Sequence, residues 1–119
     1  MGYWLFKFKQ PGGFEAMREE TYGFTQLASH VRVSAQPGDE LVIYNIEGKH
    51  VAAVVRVIGP VFEREEQTEH AERWRYAVPT EPLLIAPRGP KRPVAGRNFR
   101  RIDEAEFREL ERVVKVNSR

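Results

Sequence analysis

Gln36-Pro37-Gly38-Asp39-Glu40-Leu41-Val42-Ile43-Tyr44 is the stretch whose reading decides the fold. Proline presets φ for the second position of a tight turn, and glycine supplies the positive φ that other residues resist, so Pro37-Gly38-Asp39 reads as a turn. Leu41 to Tyr44, β-branched and aromatic, reads as a short buried strand bounded by Asn45, Glu47 and Gly48. Asn45-Ile46-Glu47-Gly48-Lys49 supplies a second turn, and Val51 to Ile58 is a second apolar strand. Together they make a β-hairpin in the core of a sheet or barrel.

Outward from the hairpin, Tyr3 to Lys9 is aromatic-rich and reads as a first strand, broken by Gln10-Pro11-Gly12-Gly13. Phe14 to Glu20 has helical composition, and Thr21 to Phe24 is extended around Gly23. Leu27 to Val33 is one helical turn or irregular chain. Val61 to Glu63 is extended, and the acidic segment Glu65 to Glu72 is a surface turn of helix or a loop. Arg73 to Val78 and Leu83 to Ala86 read as two strands, with Pro79, Pro82 and Pro87 placing them at edges or bulges. The last element is a helix: Asp103 is its N-cap, with Glu106 at the capping-box position. Phe107, Leu110, Val113 and Val114 share one helical face, which packs on the sheet. With no repeat or boundary, residues 1–119 are expected to form a single domain of the α+β class.

A chain of 119 residues can bury one real core. The absence of cysteine excludes a disulfide scaffold and a thiolate metal site. No stretch reaches membrane-spanning length and the N-terminus has no leader pattern, so the expectation is a cytoplasmic protein with no membrane partner. The net charge of +2 is small, but its distribution is uneven. Arg88, Lys91, Arg92, Arg97, Arg100 and Arg101 fall in one segment without an acidic residue, whereas Glu63 to Glu72 is rich in glutamate, with Arg64 its only Lys or Arg. Such a basic run either tracks a phosphate backbone or is a solvated loop. His30, His50 and His70 show no metal-ligand spacing and read as surface or turn residues. Nucleophile-elbow, Walker and dinucleotide patterns are missing. The expectation is therefore no enzyme, no metal and no cofactor.

Read in order, Tyr3-Trp4-Leu5, Tyr22-Gly23-Phe24, the Pro37-Gly38-Asp39 to Tyr44 core, the pair Trp74 and Tyr76, and a basic Pro93-Val94 loop before a terminal helix resemble the EVE group of the PUA-like superfamily. That group is related to the YTH readers of methylated adenine, and the resemblance covers nearly the whole chain. It implies a partly closed β-barrel with short flanking helices and a C-terminal helix. It also implies non-catalytic recognition of a modified nucleobase in DNA or RNA, the base being extruded into an aromatic pocket.

By that resemblance Tyr22 and Trp74 wall the base pocket, Phe24 adds an apolar wall, and Lys7 touches the phosphate backbone. Stacking on such faces tolerates any base. Trp4 and Asn45 complete the base-binding set, with Gln10 and Asn98 as further candidates for the base edge. Lys7, Arg92, Arg97 and Arg100 form the phosphate-binding set. The sequence departs from the family where Phe8 replaces a serine and Asn98 an aspartate, which leaves the modification open, as it leaves DNA against RNA. Two other readings stand beside this one. The chain is a barrel that binds a small molecule or an acidic partner, or it is the targeting domain of a methylation-dependent restriction system, partnered with a larger nuclease or modification complex.

Overall fold

The turn forms as its residues dictate. Asp39 N donates to Gln36 O at 3.0 Å, and Gly38 stands at φ 94°. That is the type II arrangement, with proline second and a positive-φ glycine third. A Cβ at Gly38 would meet nothing within 4 Å, so only the backbone resists substitution there. Gly38→Ala should therefore lower stability by about 1–2 kcal/mol, read as a shift in urea midpoint.

The computed structural model describes residues 2–8, 26–29, 32, 34–63, 76–97 and 99–118. Among these, the strands are β1 (Tyr3–Phe8), β2 (Gln26–Ser29), β3 (Glu40–Asn45), β4 (His50–Val57), β5 (Phe62–Glu63), β6 (Tyr76–Ile85) and β7 (Phe99–Ile102), followed by the helix α1 (Glu104–Asn117). The sheet runs β2-β6-β4-β3-β1-β7, with β5 paired to β6 off this path. The β1–β3 pair is parallel and the other pairs are antiparallel. The result is a mixed, curled sheet, a half-barrel with one C-terminal helix, and the α+β class expected from the sequence.

Strand alternation gives this sheet two apolar faces. Trp4, Leu41, Ile43, Ala53 and Val55 pack on one, joined by the half-buried Phe6 and Phe99. Leu5, Val42, Tyr44, Val54 and Ile102 pack on the other, beneath Phe107, Leu110 and Val114 of α1. The expected helix stripe is the one observed, with Val113 half-buried at its margin. The cap is also as expected, since Asp103 Oδ1 accepts from Glu106 N at 2.7 Å. The reciprocal half of a capping box does not form, because the Glu106 carboxylate is turned to Arg100 instead.

Three local expectations change. The start of Leu27 to Val33 is not helical: Gln26–Ser29 is β2, paired with Tyr76 to Pro79. The two strands expected on either side of Pro79 and Pro82 are one, β6. Its first half pairs β2 and β5, and its second half pairs β4. Pro79 is the last residue paired to β2, and Pro82 lies opposite a register shift at Val54 and Val55. The missing N–H groups thus fall where the ladder is already interrupted, which is what a proline inside a strand requires. Third, β7 lay hidden in the basic segment, because two adjacent arginines obscure its alternation. The expected helix at Phe14–Glu20, the extended Thr21–Phe24 and the acidic Glu65–Glu72 segment lie outside the described residues. Among the described residues, no helix is long and apolar enough to cross a membrane.

Candidate functional site

The basic segment before β7 is neither a free loop nor a strand. Residues 86–97 form a strap tied to the sheet at both ends and along its length. Ala86 N donates to Ala52 O at 2.7 Å, and Arg92 N donates to Lys49 O at 2.8 Å. The Tyr44 hydroxyl donates to Arg92 O at 2.6 Å. Lys7 Nζ donates to Val94 O and, at 3.2 Å, to Gly96 O. Arg100 Nη2 donates to Ala95 O at 3.0 Å. Side chains from β1, β3 and β7 thus hold four of the strap's carbonyls inward. Gly96 takes φ 103°, the conformation that favours glycine, and a Cβ there would have to push aside the outer part of the Arg100 side chain. Beside the strap, His50 is buried rather than on the surface, with its Nε2 3.3 Å from Ala86 O.

The charges divide into two groups. Arg92 pairs with Glu109 at 2.6 Å, and Arg100 grips both oxygens of Glu106 at 3.0 and 3.4 Å. The helix therefore supplies the carboxylates that the basic segment itself lacks. Burial pushes the Lys7 pKa down, and the nearby Arg100 charge pushes the same way. Hydrogen bonding from Arg92 holds the Glu109 carboxyl below its ordinary value. Arg88, Lys91 and Arg97 are exposed and have no carboxylate partner among the described residues. Arg101, also exposed, lies over the Trp4 ring at 5.8 Å.

The sequence-expected phosphate set, Lys7, Arg92, Arg97 and Arg100, does converge on one feature, but three of the four are engaged within the protein. Only Arg97 points its charge outward unpaired among them. Trp4 stands on the opposite face of the sheet from Lys7, as their odd spacing in a strand demands. It is 7% exposed, edge-on to Phe99 at 5.8 Å. Asn45 is buried at the β3–β4 hairpin, where its Oδ1 accepts from Glu47 N at 3.0 Å and Gly48 N at 3.1 Å. Trp4 and Asn45 are thereby committed to core and turn rather than open to solvent. Tyr22, Phe24, Trp74, Gln10 and Asn98 lie outside the described residues.

Sequence reading passed over Asp39 except as a turn residue. Its carboxylate is buried and accepts from Gly2 N at 2.8 Å, Gln36 N at 2.9 Å and Trp4 Nε1 at 3.0 Å. Burial pushes its pKa up, but the hydrogen bonds from Gln36, Gly2 and Trp4 together outweigh that and leave it lowered. Just beyond this knot a cleft of about 360 Å³ opens between Arg32, Ser34, Ala35 and Gln36 on one side and Pro60 and Val61 on the other. Among the described residues no group of three or more histidines and carboxylates is placed to hold a metal ion.

No family model matches the sequence, and no curated protein matches it. A solved structure does. It is the NMR structure of Rpa0253 from Rhodopseudomonas palustris, a structural genomics target, with a TM-score of 0.60. The match covers 98% of this chain and 94% of that one, at 14% sequence identity. The two chains share a fold. At that identity the likeness extends to the fold alone.

Proposed function

We propose that the chain is an EVE-type member of the PUA-like superfamily that binds nucleic acid along the strap and reads a modified base without catalysis. The observation that carries this reading is the orientation of the strap. Four of its carbonyls are drawn inward by Tyr44, Lys7 and Arg100, while Arg88, Lys91 and Arg97 stay exposed to an approaching phosphate backbone. Cations on a structured segment suit backbone tracking better than cations on a free loop, since less side-chain and chain entropy is lost on binding. Base selectivity in this reading comes from Tyr22, Phe24 and Trp74. A buried methyl supplies only about 0.8 kcal/mol from area, so hydrogen bonds to the base edge carry the rest. Any chemistry belongs to a nuclease or modification complex that the domain targets.

The test is a binding screen of modified and plain DNA and RNA oligonucleotides at several salt concentrations. With two to four phosphate contacts, log affinity should fall against log salt with a slope of roughly −2 to −3. Arg97→Ala should make that slope shallower by about 1 while the melting temperature stays put. Trp74→Ala should weaken binding of the preferred oligonucleotide, again without a change in melting temperature. Salt-independent binding, or a Trp74→Ala protein that unfolds yet binds normally per folded molecule, would overturn the reading. Incubation with the same oligonucleotides and divalent metal should leave them unaltered.

A further inference from the structure

We infer that the cleft beside the Asp39 knot is a second binding site, and that it takes a small organic anion with a flat apolar body. The cleft and the strap stand at opposite ends of β3. Gln36 precedes the strand, whereas Tyr44, near its far end, holds the strap. Six extended residues separate the two ends by roughly 17 Å, so one small molecule cannot occupy both.

The walls of the cleft differ in character. On one side, Pro60 and Val61 make an apolar wall against which a hydrophobic body can lie. On the other side are Arg32, Ser34 and Gln36, over the buried Ala35. Arg32 is exposed, and its guanidinium lies 5.9 Å from the centre of the Tyr76 ring. A guanidinium at that distance is within cation–π range, and its donors match a carboxylate or phosphate in a bidentate fashion. Gln36 is held by its backbone, which donates to Asp39, while its amide makes only a 3.4 Å contact with Ser34 O. The amide can therefore turn to a ligand at little cost. None of the described lining residues is acidic. The volume of about 360 Å³ suits a mononucleotide-sized or smaller ligand.

The shared chemistry, an anionic group on a planar body, has two sources: a free nucleotide or the phosphorylated end of a strand. The experiment titrates AMP, adenosine, inorganic phosphate, and a short oligonucleotide with and without a 5′-phosphate. Binding is followed by the side-chain N–H resonances of Gln36 and Arg32 and the backbone resonances of 34–36 and 61–62. AMP should shift these resonances saturably, with adenosine and inorganic phosphate each at least tenfold weaker. Arg32→Gln, at an exposed site, should leave the fold intact and weaken AMP at least tenfold. If the strand end is the source, the 5′-phosphate should add at least a tenfold gain over AMP. AMP shifts that do not saturate, that move to residues 88–97, or that survive Arg32→Gln would overturn the site. Strap binding is read separately, through the salt slope and Arg97→Ala, so failure of either site is distinguishable from failure of the other.

Discussion

Phe107→Ala should destabilise the protein by about 3–5 kcal/mol, the range for deleting a fully buried phenylalanine. Among the described residues Phe107 is the largest fully buried side chain, and its ring lies 4.6 Å from that of Tyr3. It is also the first of the three buried residues by which α1 rests on the sheet, ahead of Leu110 and Val114. A helix of this length has little stability of its own, so it holds its shape through that stripe. A loss of this size is a large fraction of the stability of an ordinary small domain. The measurement is the urea midpoint at unchanged slope, and a loss under about 1 kcal/mol would mean that the helix is not docked through Phe107. A second effect follows at the strap. Glu106 and Glu109 ride on α1, so a loosened helix releases Arg100 and Arg92 from their carboxylates. Where folded protein remains, the nucleic-acid binding proposed for the strap should show a steeper salt slope.

Asp39→Ala should cost about 3 kcal/mol, because it strands buried donors that had a charged acceptor. Gly2 N, Gln36 N and Trp4 Nε1 all converge on that carboxylate, which joins the start of β1 to the turn before β3. Parallel neighbours cannot be joined by a hairpin, so their register needs such a link from outside the ladder. Trp4→Phe removes a single donor and should cost about 1 kcal/mol. In the double variant the two losses should fall short of additive, and strict additivity would show that the indole bond contributes nothing. The pH dependence has a definite sign. The Asp39 pKa is lower folded than unfolded, so its contribution is complete above the unfolded value of about 3.9. It drains away as pH falls from there through the folded value. Acid unfolding of Asp39→Asn should lack that component.

Most of the fold was legible wherever a local cause sufficed. The Pro-Gly turn, the hairpin of β3 and β4, the Asp103 cap and the apolar stripe of α1 depend on φ preferences and on periods of two or 3.6 residues. These are written over a few consecutive positions. β7 escaped because four residues containing adjacent arginines carry too weak an alternation, and β6 because prolines signal interruption without saying that a partner strand changes there. The concentration of Arg92, Arg97 and Arg100 was legible as composition, whereas Lys7 was joined to them only through the family resemblance. Their individual duties were not legible, since Glu106, Glu109 and Tyr44 reach them from other elements.

The sequence by itself determined the α+β class, the turn chemistry and the concentration of positive charge before the last helix, because each rests on short-range sterics or simple counting. Only the tertiary structure decided that β1 lies between β3 and β7, which brings Lys7 and Arg100 under the same stretch of strap. That same placement sets Trp4 against Asp39 and turns a turn residue into the knot between two parallel strands. The physical reason is common to both. Which cation meets a carbonyl or a carboxylate, and which aspartate is buried, depends on long-range strand pairing, and no window of neighbouring residues contains that information.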